Sequence, residues 1–371
     1  MSKKSIFIAF VVSLGGFLFG FDAGIISGVF SYVGPEWNLT DAQIGWGVSS
    51  PSFAAMIAML IAGKLSDHLG RKKILLFVAF AYAISALLSA LATSYEMLYI
   101  ARMIGGLAFG SALVLAPTYI AEIANASNRG KLVSIQQLNI VFGFFAAFLS
   151  NYYLNSINTP NNFFFTDQTV WRWMLGVELL PALVYFILLF FVPRSPRWLF
   201  SNQQNKEAIA VLKQIHGLEQ AQTEATSIQQ SINQQTITSK TSIFELLKPA
   251  LRYILIVGLV LGVLQQITGI NAVYFYATSI FKQTGIGTDA AFSSGVLLSF
   301  TTVIFTFAAI FLIDRMGRRP LLLIGMAGIA TSLLVCAYGF HKAEYKLTSQ
   351  EIAAFQNFQP DLLKPIQNKG Y

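Results

Sequence analysis

Apolar runs of about 20 residues recur along almost the whole chain, and no other feature limits its fold as strongly. A helix rises about 1.5 Å per residue, so such a run crosses a hydrocarbon layer about 30 Å thick. Inside that layer every backbone polar group must be satisfied internally, which a helix does alone. Nine runs read as spans, at 6–33, 44–63, 74–93, 97–121, 132–155, 173–192, 252–281, 291–313 and 320–341. Charged residues make up 11% of the chain, against about 25% in soluble domains. The expected fold class is all-α, a polytopic membrane protein. The first run extends past any plausible cut site, so no cleavable leader is expected. Cys336, the single cysteine, has no intramolecular partner and suggests neither a metal site nor a redox role.

The net charge of +8 could point to nucleic acid, but the placement of the cations points to a membrane. Of the 25 basic residues, 18 fall in alternate connectors, from Lys3 and Lys4 through Lys64, Arg71, Lys72 and Lys73 to Arg315, Arg318 and Arg319. The opposite connectors, such as 34–43 and 93–96, carry acids and neither Lys nor Arg. An excess of Lys and Arg marks cytoplasmic loops, which puts the N terminus in the cytoplasm. Residues 193–250 form one long polar connector with Gln-rich stretches and a helical pattern at Asn205–His216. It reads as a helical cytoplasmic linker, with disorder an open alternative for 217–240.

The first span holds the most informative pattern. Gly16, Gly20, Gly24 and Gly28 recur every four residues and align on one helix face, where small residues let a second backbone come close. Asp22 lies on the opposite face, in the middle of an apolar run. A carboxylate there costs a few kcal/mol at least unless it is neutral, paired or wet. Arg102, in the fourth span, is the second intramembrane charge. It is always protonated, so the two are expected to compensate each other. Burial favours the neutral carboxyl and a guanidinium favours the charged one, and a group held between those influences can exchange a proton. A static ion pair is the competing reading. Gly106 and Gly110 follow Arg102 at four-residue steps, so its helix should also approach a neighbour closely.

Two connectors echo each other. Gly63-Lys-Leu-Ser-Asp-His-Leu-Gly-Arg-Lys-Lys73 joins spans two and three, and Phe311-Leu-Ile-Asp-Arg-Met-Gly-Arg-Arg319 joins spans eight and nine. An Asp followed by Gly and a basic cluster, twice, indicates an internal duplication. The pattern resembles the major facilitator superfamily. Gly15-Gly-Phe-Leu-Phe-Gly-Phe-Asp22, Arg102-Met-Ile-Gly-Gly106, Pro117-Thr-Tyr-Ile-Ala-Glu-Ile123 with Arg129-Gly130, Trp171-Arg-Trp-Met174, Pro193-Arg-Ser-Pro-Arg-Trp-Leu199 and Gln265-Gln-Ile-Thr-Gly-Ile-Asn271 narrow the resemblance to its sugar porter family, from Ile6 to about His341.

That resemblance implies a twelve-helix fold in two halves, of which about nine helices are present. Residues 1–193 would be the N-terminal six-helix half, 194–250 the linker, 251–341 the first three helices of the second half, and 342–371 a polar tail. Thirty polar residues where a further span would follow suggest an incomplete chain. The implied function is monosaccharide transport coupled to proton symport by alternating access. Its rivals are a uniporter, and a sugar-binding sensor or inactive remnant. Asp22 is implied as the proton-coupling residue with Arg102 beside it. Gln137, Gln265, Gln266, Asn271, Tyr276 and Thr302 match sugar-contact positions, and an amide suits a hydroxyl because each is both donor and acceptor. The Thr268-Gly269 step should loosen the seventh span. Gln136 reads as an interhelical hydrogen-bonding residue.

A cytoplasmic charge network is implied for Asp67, Arg71, Glu122, Arg129, Glu178, Arg197, Asp314 and Arg318, with a proton-relay role the lesser reading of Glu178. Three departures weaken the choice of sugar: Phe275 in place of Tyr, Thr302 in place of Asn, and Phe144 in place of a Gln found in some pentose-binding relatives. Arg194 stands where the family carries Glu, which should weaken the charge network. No nucleophile–base cluster appears, and His68, His216 and His341 lie in connectors or at a span end, so no enzyme is expected. Nor is a cofactor, metal or nucleic-acid partner. The expected partners are the sugar, the proton and the lipid bilayer, with a monomeric chain in a bacterial inner membrane.

Overall fold

The computed structural model describes residues 3–124, 129–159, 164–237 and 249–342. Among the described residues nine stretches are helical, long and apolar enough to cross a membrane. The first five spans are single helices: α1 (Lys3–Glu36), α2 (Asp41–Leu69), α3 (Arg71–Ala90), α4 (Tyr95–Ile123) and α5 (Arg129–Ser156). Their ends follow local rules. Thr40 and Gln43 cap α2 with a reciprocal capping box, and the hydroxyl of Ser94 caps α4. Gly70, at φ +92°, makes the turn between α2 and α3, a conformation that glycine adopts without strain.

The sixth span is broken into α6 (Val170–Val177) and α7 (Leu179–Phe190). Pro181 explains the break, since it has no N–H to donate to Val177 four residues back. Glu178 sits at the break. Three helices of the linker follow: α8 (Pro196–Ser201), α9 (Asn205–His216) and α10 (Leu218–Ile237). The seventh span is also interrupted, as α11 (Pro249–Ile267), α12 (Ile270–Phe275) and α13 (Ala277–Gln283), with Gly269 left-handed at φ +75°. The expected loosening at Thr268-Gly269 is therefore present as a complete break. The last two spans are α14 (Thr288–Met316) and α15 (Arg318–Lys342), joined by Gly317 at φ +80°. Gly70 and Gly317 thus make the same kind of turn in the two echoing connectors.

The glycine stripe of α1 packs against α5. A Cβ on Gly20 would lie 2.0 Å from the carbonyl oxygen of Ile140, and one on Gly24 2.8 Å from Ala147 Cβ. Gly143 of α5 returns the contact, since a Cβ there would come within 2.1 Å of the Phe17 carbonyl. Gly106 and Gly110 of α4 meet the backbone of α2 in the same way, at Pro51 and Ala55. Two apolar clusters result. One joins α1 up to Leu18 with α3, α4, α7 and the linker helices; the other joins α1 from Phe21 onward with Leu98, Trp171 and Phe292. Asp22 falls where one gives way to the other.

The linker helices are built on the same principle. Ala208, Val211, Leu212 and Ile215 of α9 and Ala221 and Ala225 of α10 are buried together, so 218–237, where disorder is the alternative reading of the sequence, is helical, while 238–240 lie outside the described residues. By contrast, α11 and α15 bury none of their described side chains. The chain groups into two compact units, Met1–Ile310 and Phe311–Tyr371.

Candidate functional site

Asp22 and Arg102 meet inside the first unit. Arg102 donates from Nη1 to Asp22 Oδ1 at 2.9 Å and from Nη2 to Oδ2 at 3.2 Å, a two-pronged contact between side chains that are 2% and 11% exposed. The planar guanidinium fork matches a carboxylate in this geometry. The close α1–α5 packing leaves the opposite face of α1 to present Asp22 to α4. Arg102 Nε is buried without a partner, so the pair does not exhaust the donors of the arginine.

Glu178 is a correction to the expected network. It is 5% exposed and lies within electrostatic reach of both Asp22 and Arg102. The 12 residues of α7 separate it from the connector that carries Arg194, a rise of about 18 Å. A side chain cannot cover that distance. The break before Pro181 instead holds Glu178 in the mid-span interior, beside Tyr82, whose hydroxyl donates to the Gly15 carbonyl at 3.1 Å. Tyr82 was invisible to motif reasoning, because a tyrosine in an apolar span looks like core.

The amide positions lie on α5 and around the seventh-span break. Gln137 is exposed on α5, two turns before Phe144 and on the same face. Asn271 donates from Nδ2 to Gln266 Oε1 at 2.9 Å, whereas Gln265 is exposed and forms no side-chain hydrogen bond among the described residues. Thr302 accepts or donates at 2.5 Å with the hydroxyl of Tyr274, one turn beyond Asn271 on α12. The ring of Tyr274 lies 4.9 Å from that of Phe144, centroid to centroid. Tyr276 points elsewhere: its hydroxyl approaches Gly45 of α2, in the cluster around Phe30 and Trp171. Tyr274, not Tyr276, therefore joins Thr302, because three residues make one turn and five do not. Gln136 is buried with its Oε1 unpartnered, so no interhelical bond accounts for that oxygen. The interhelical amide in this region is Asn139, which meets Ser13 at 2.5 Å.

A separate charge network lies where α2, α3, α4 and α8 meet. Arg71 pairs with Asp67 at 2.7 Å and with Glu122 at 3.0 Å, and Ser195 Oγ donates to the other oxygen of Glu122 at 2.5 Å. Arg197 is within electrostatic reach of Glu122. Arg194 does not take part in these contacts and turns to Glu207 on α9 at 3.5 Å. Ser195, not residue 194, supplies the linker's contact to Glu122. Arg318 opens α15 and is exposed. The side chains of Arg129 and Asp314 lie outside the described residues.

Residues 8–355 match the model of the family described as "Sugar (and other) transporter". The chain is 36% identical over 344 residues to the arabinose-proton symporter of Bacillus subtilis, covering 93% of this chain and 72% of that protein. Among solved structures it is similar to the partially occluded inward open conformation of the xylose transporter XylE from E. coli, with TM-score 0.80 and 30% identity over 91% of this chain and 79% of that one. It is also similar to the proton:xylose symporter XylE bound to 6-bromo-6-deoxy-D-glucose, with TM-score 0.75 and 31% identity over 86% and 72% of the two chains.

Proposed function

The chain belongs to the sugar transporter family, and from that footing we propose that it carries a monosaccharide, pentose or hexose, across the bacterial inner membrane with a proton. Transport would be by alternating access between a half at 1–193 and a second half beginning at 251, tied by the 194–250 linker, in a monomer with its N terminus in the cytoplasm. The observation that carries this reading is the buried group of Asp22, Glu178 and Arg102. Two carboxylates and one guanidinium have a net charge of −1 when all are ionised and are neutral when they hold one proton. A low-dielectric interior penalises the charged state. When the site is shut off from water it favours the singly protonated form, and when it opens to the lower proton activity it releases that proton.

Sugar recognition falls to the neutral groups. Gln137, Gln266 and Asn271 offer amides, the Tyr274–Thr302 pair offers hydroxyls, and Phe144 offers a flat apolar face for a sugar ring. Gln265 supplies a further amide. Modest affinity suits the task, because the sugar must leave on the other side. The relatives named for arabinose and xylose support the substrate class.

The test is uptake of radiolabelled arabinose, xylose and glucose into energised vesicles that contain the full chain, with and without an uncoupler. Accumulation that the uncoupler collapses is expected, and Asp22→Asn should abolish it. Uptake unaffected by the uncoupler in both proteins would eliminate proton coupling.

A further inference from the structure

A shallow cavity open to water lies at the turn between α2 and α3 where the chain leaves α7. Four cations line it, Arg71, Lys72, Lys73 and Arg194, together with Ser195 and Trp198. We propose that this cavity binds a phosphate group, carried either by an anionic lipid headgroup or by a soluble phosphate ester.

The walls are built rather than incidental. Trp198 donates from Nε1 to the Asp67 carbonyl at 3.0 Å, and its ring lies 3.1 Å from where a Cβ on Gly70 would be. Ser195 caps α8 by accepting from the Trp198 amide at 3.2 Å. Lys72 donates to the Phe190 carbonyl at 2.9 Å, fixing its ammonium at the end of α7.

The charge balance of the cavity is uneven. Arg71 is consumed by Asp67 and Glu122, but the other three cations are not. Lys72 lies within electrostatic reach of Arg194, a like charge. Arg194 has only Glu207 at 3.5 Å, and both side chains are more than 40% exposed (43% and 46%), a contact that contributes little in water. Lys73 is exposed and forms no ion pair among the described residues. Cations that merely follow the cytoplasmic charge bias spread into solvent. Here two lie within electrostatic reach of each other on the lining of one cavity, and an oxyanion between them would remove the repulsion and accept their N–H donors. A guanidinium and an ammonium around a tetrahedral oxyanion is a common phosphate geometry. The cavity lies at the end of three membrane helices, where a lipid headgroup is at hand, yet it is also open to water.

The experiment uses the purified full chain in uncharged maltoside micelles at low salt. Titration calorimetry measures binding of dioctanoyl-phosphatidylglycerol, inorganic phosphate and glucose 6-phosphate to wild type, Arg194→Glu, Arg194→Lys, Lys73→Gln and, as a distant control, Lys206→Gln. The expected result is saturable binding that Arg194→Glu weakens at least tenfold, that Lys73→Gln weakens severalfold, and that Arg194→Lys and Lys206→Gln leave within about threefold. Binding of the lipid alone assigns the headgroup; binding of the soluble phosphates assigns the free ester. Absence of saturable binding by all three probes would overturn the proposal. So would binding that Arg194→Glu leaves unchanged. Transport plays no part in the readout, so this outcome is independent of whether sugar uptake is found.

Discussion

Asp22 and Arg102 are each costly alone and inexpensive together, so the two single deletions should behave differently from the double. Removing one partner breaks the two-pronged bond and leaves the other buried without its hydrogen-bonding mate, which costs about 3–5 kcal/mol. Asp22→Ala and Arg102→Leu should each lower the thermal unfolding midpoint in detergent sharply, and the double variant should recover part of the loss. Glu178→Gln is expected to act on coupling instead, because it leaves one carboxylate and one guanidinium, neutral without any proton. Uptake by that variant should lose its dependence on the proton gradient while equilibrative sugar exchange persists. Tyr274→Phe separates recognition from stability. Thr302 keeps its bond to the Leu298 carbonyl at 3.0 Å, so no buried group is orphaned and the unfolding midpoint should hold. The lost hydroxyl, worth about 0.5–1.5 kcal/mol, should appear as a severalfold rise in the KM for sugar uptake.

Helix packing follows from where glycine lies. Gly20→Ala puts a Cβ 2.0 Å from a backbone oxygen of α5, and neither helix can yield without losing the contacts on both sides. A destabilisation of about 1–3 kcal/mol is expected from such overpacking. Gly63→Ala in α2 meets nothing within 4 Å and should remain within about 0.5 kcal/mol of wild type or gain slightly. If the two unfold alike, the stripe is not what joins α1 to α5. At the end of α9, burial holds the His216 imidazole below its ordinary value, against the opposing influence of Glu224 on α10 and the Ile123 backbone. A base whose folded pKa is depressed binds protons more readily when unfolded, so its stabilising contribution is present above pH 6.5 and falls away below it. The stability lost by wild type between pH 7.5 and pH 5 should exceed that lost by His216→Gln, with both midpoints measured in the same buffers.

Across the first unit as a whole, the ends of α1 and α5 are fastened to α13 and α14. Tyr32 donates to Asn155 at 2.5 Å, Asn155 to Asp289 at 2.7 Å, and Ser27 meets Thr278 at 3.1 Å. Lys282 lies 5.8 Å from the rings of both Tyr32 and Phe292. These contacts join α1 and α5 to α13 and α14 at this end, and alternating access requires that they part. Asn155→Ala removes the crossing bond to Asp289 together with the Tyr32 bond that orients it. In a Cys336→Ser background, a probe cysteine at Ser27→Cys should react faster with a membrane-impermeant thiol reagent when Asn155→Ala is added. Equal rates would mean that the latch does not hold the closed state.

Much of this was determined by sequence alone. Nine apolar runs of spanning length fix nine spans because the bilayer admits few other solutions. The four-residue glycine steps, a lone Asp and a lone Arg in apolar runs, and the twice-written Asp…Gly-Arg connector are local patterns with direct physical meanings. Tertiary structure decided what local pattern cannot express. Glu178 belongs with Asp22 because a proline three residues on breaks the helix there and depth, not motif order, sets a side chain's neighbours. Tyr274, rather than the expected Tyr276, reaches the polar cluster because it lies one turn beyond Asn271 on α12, whereas Tyr276 falls past the end of that helix. Ser195 bonds to Glu122 while its neighbour Arg194 turns to Glu207, because the start of α8 points successive side chains apart. Each of these turns on distances between segments far apart in the chain, and those exist only once the helices are packed.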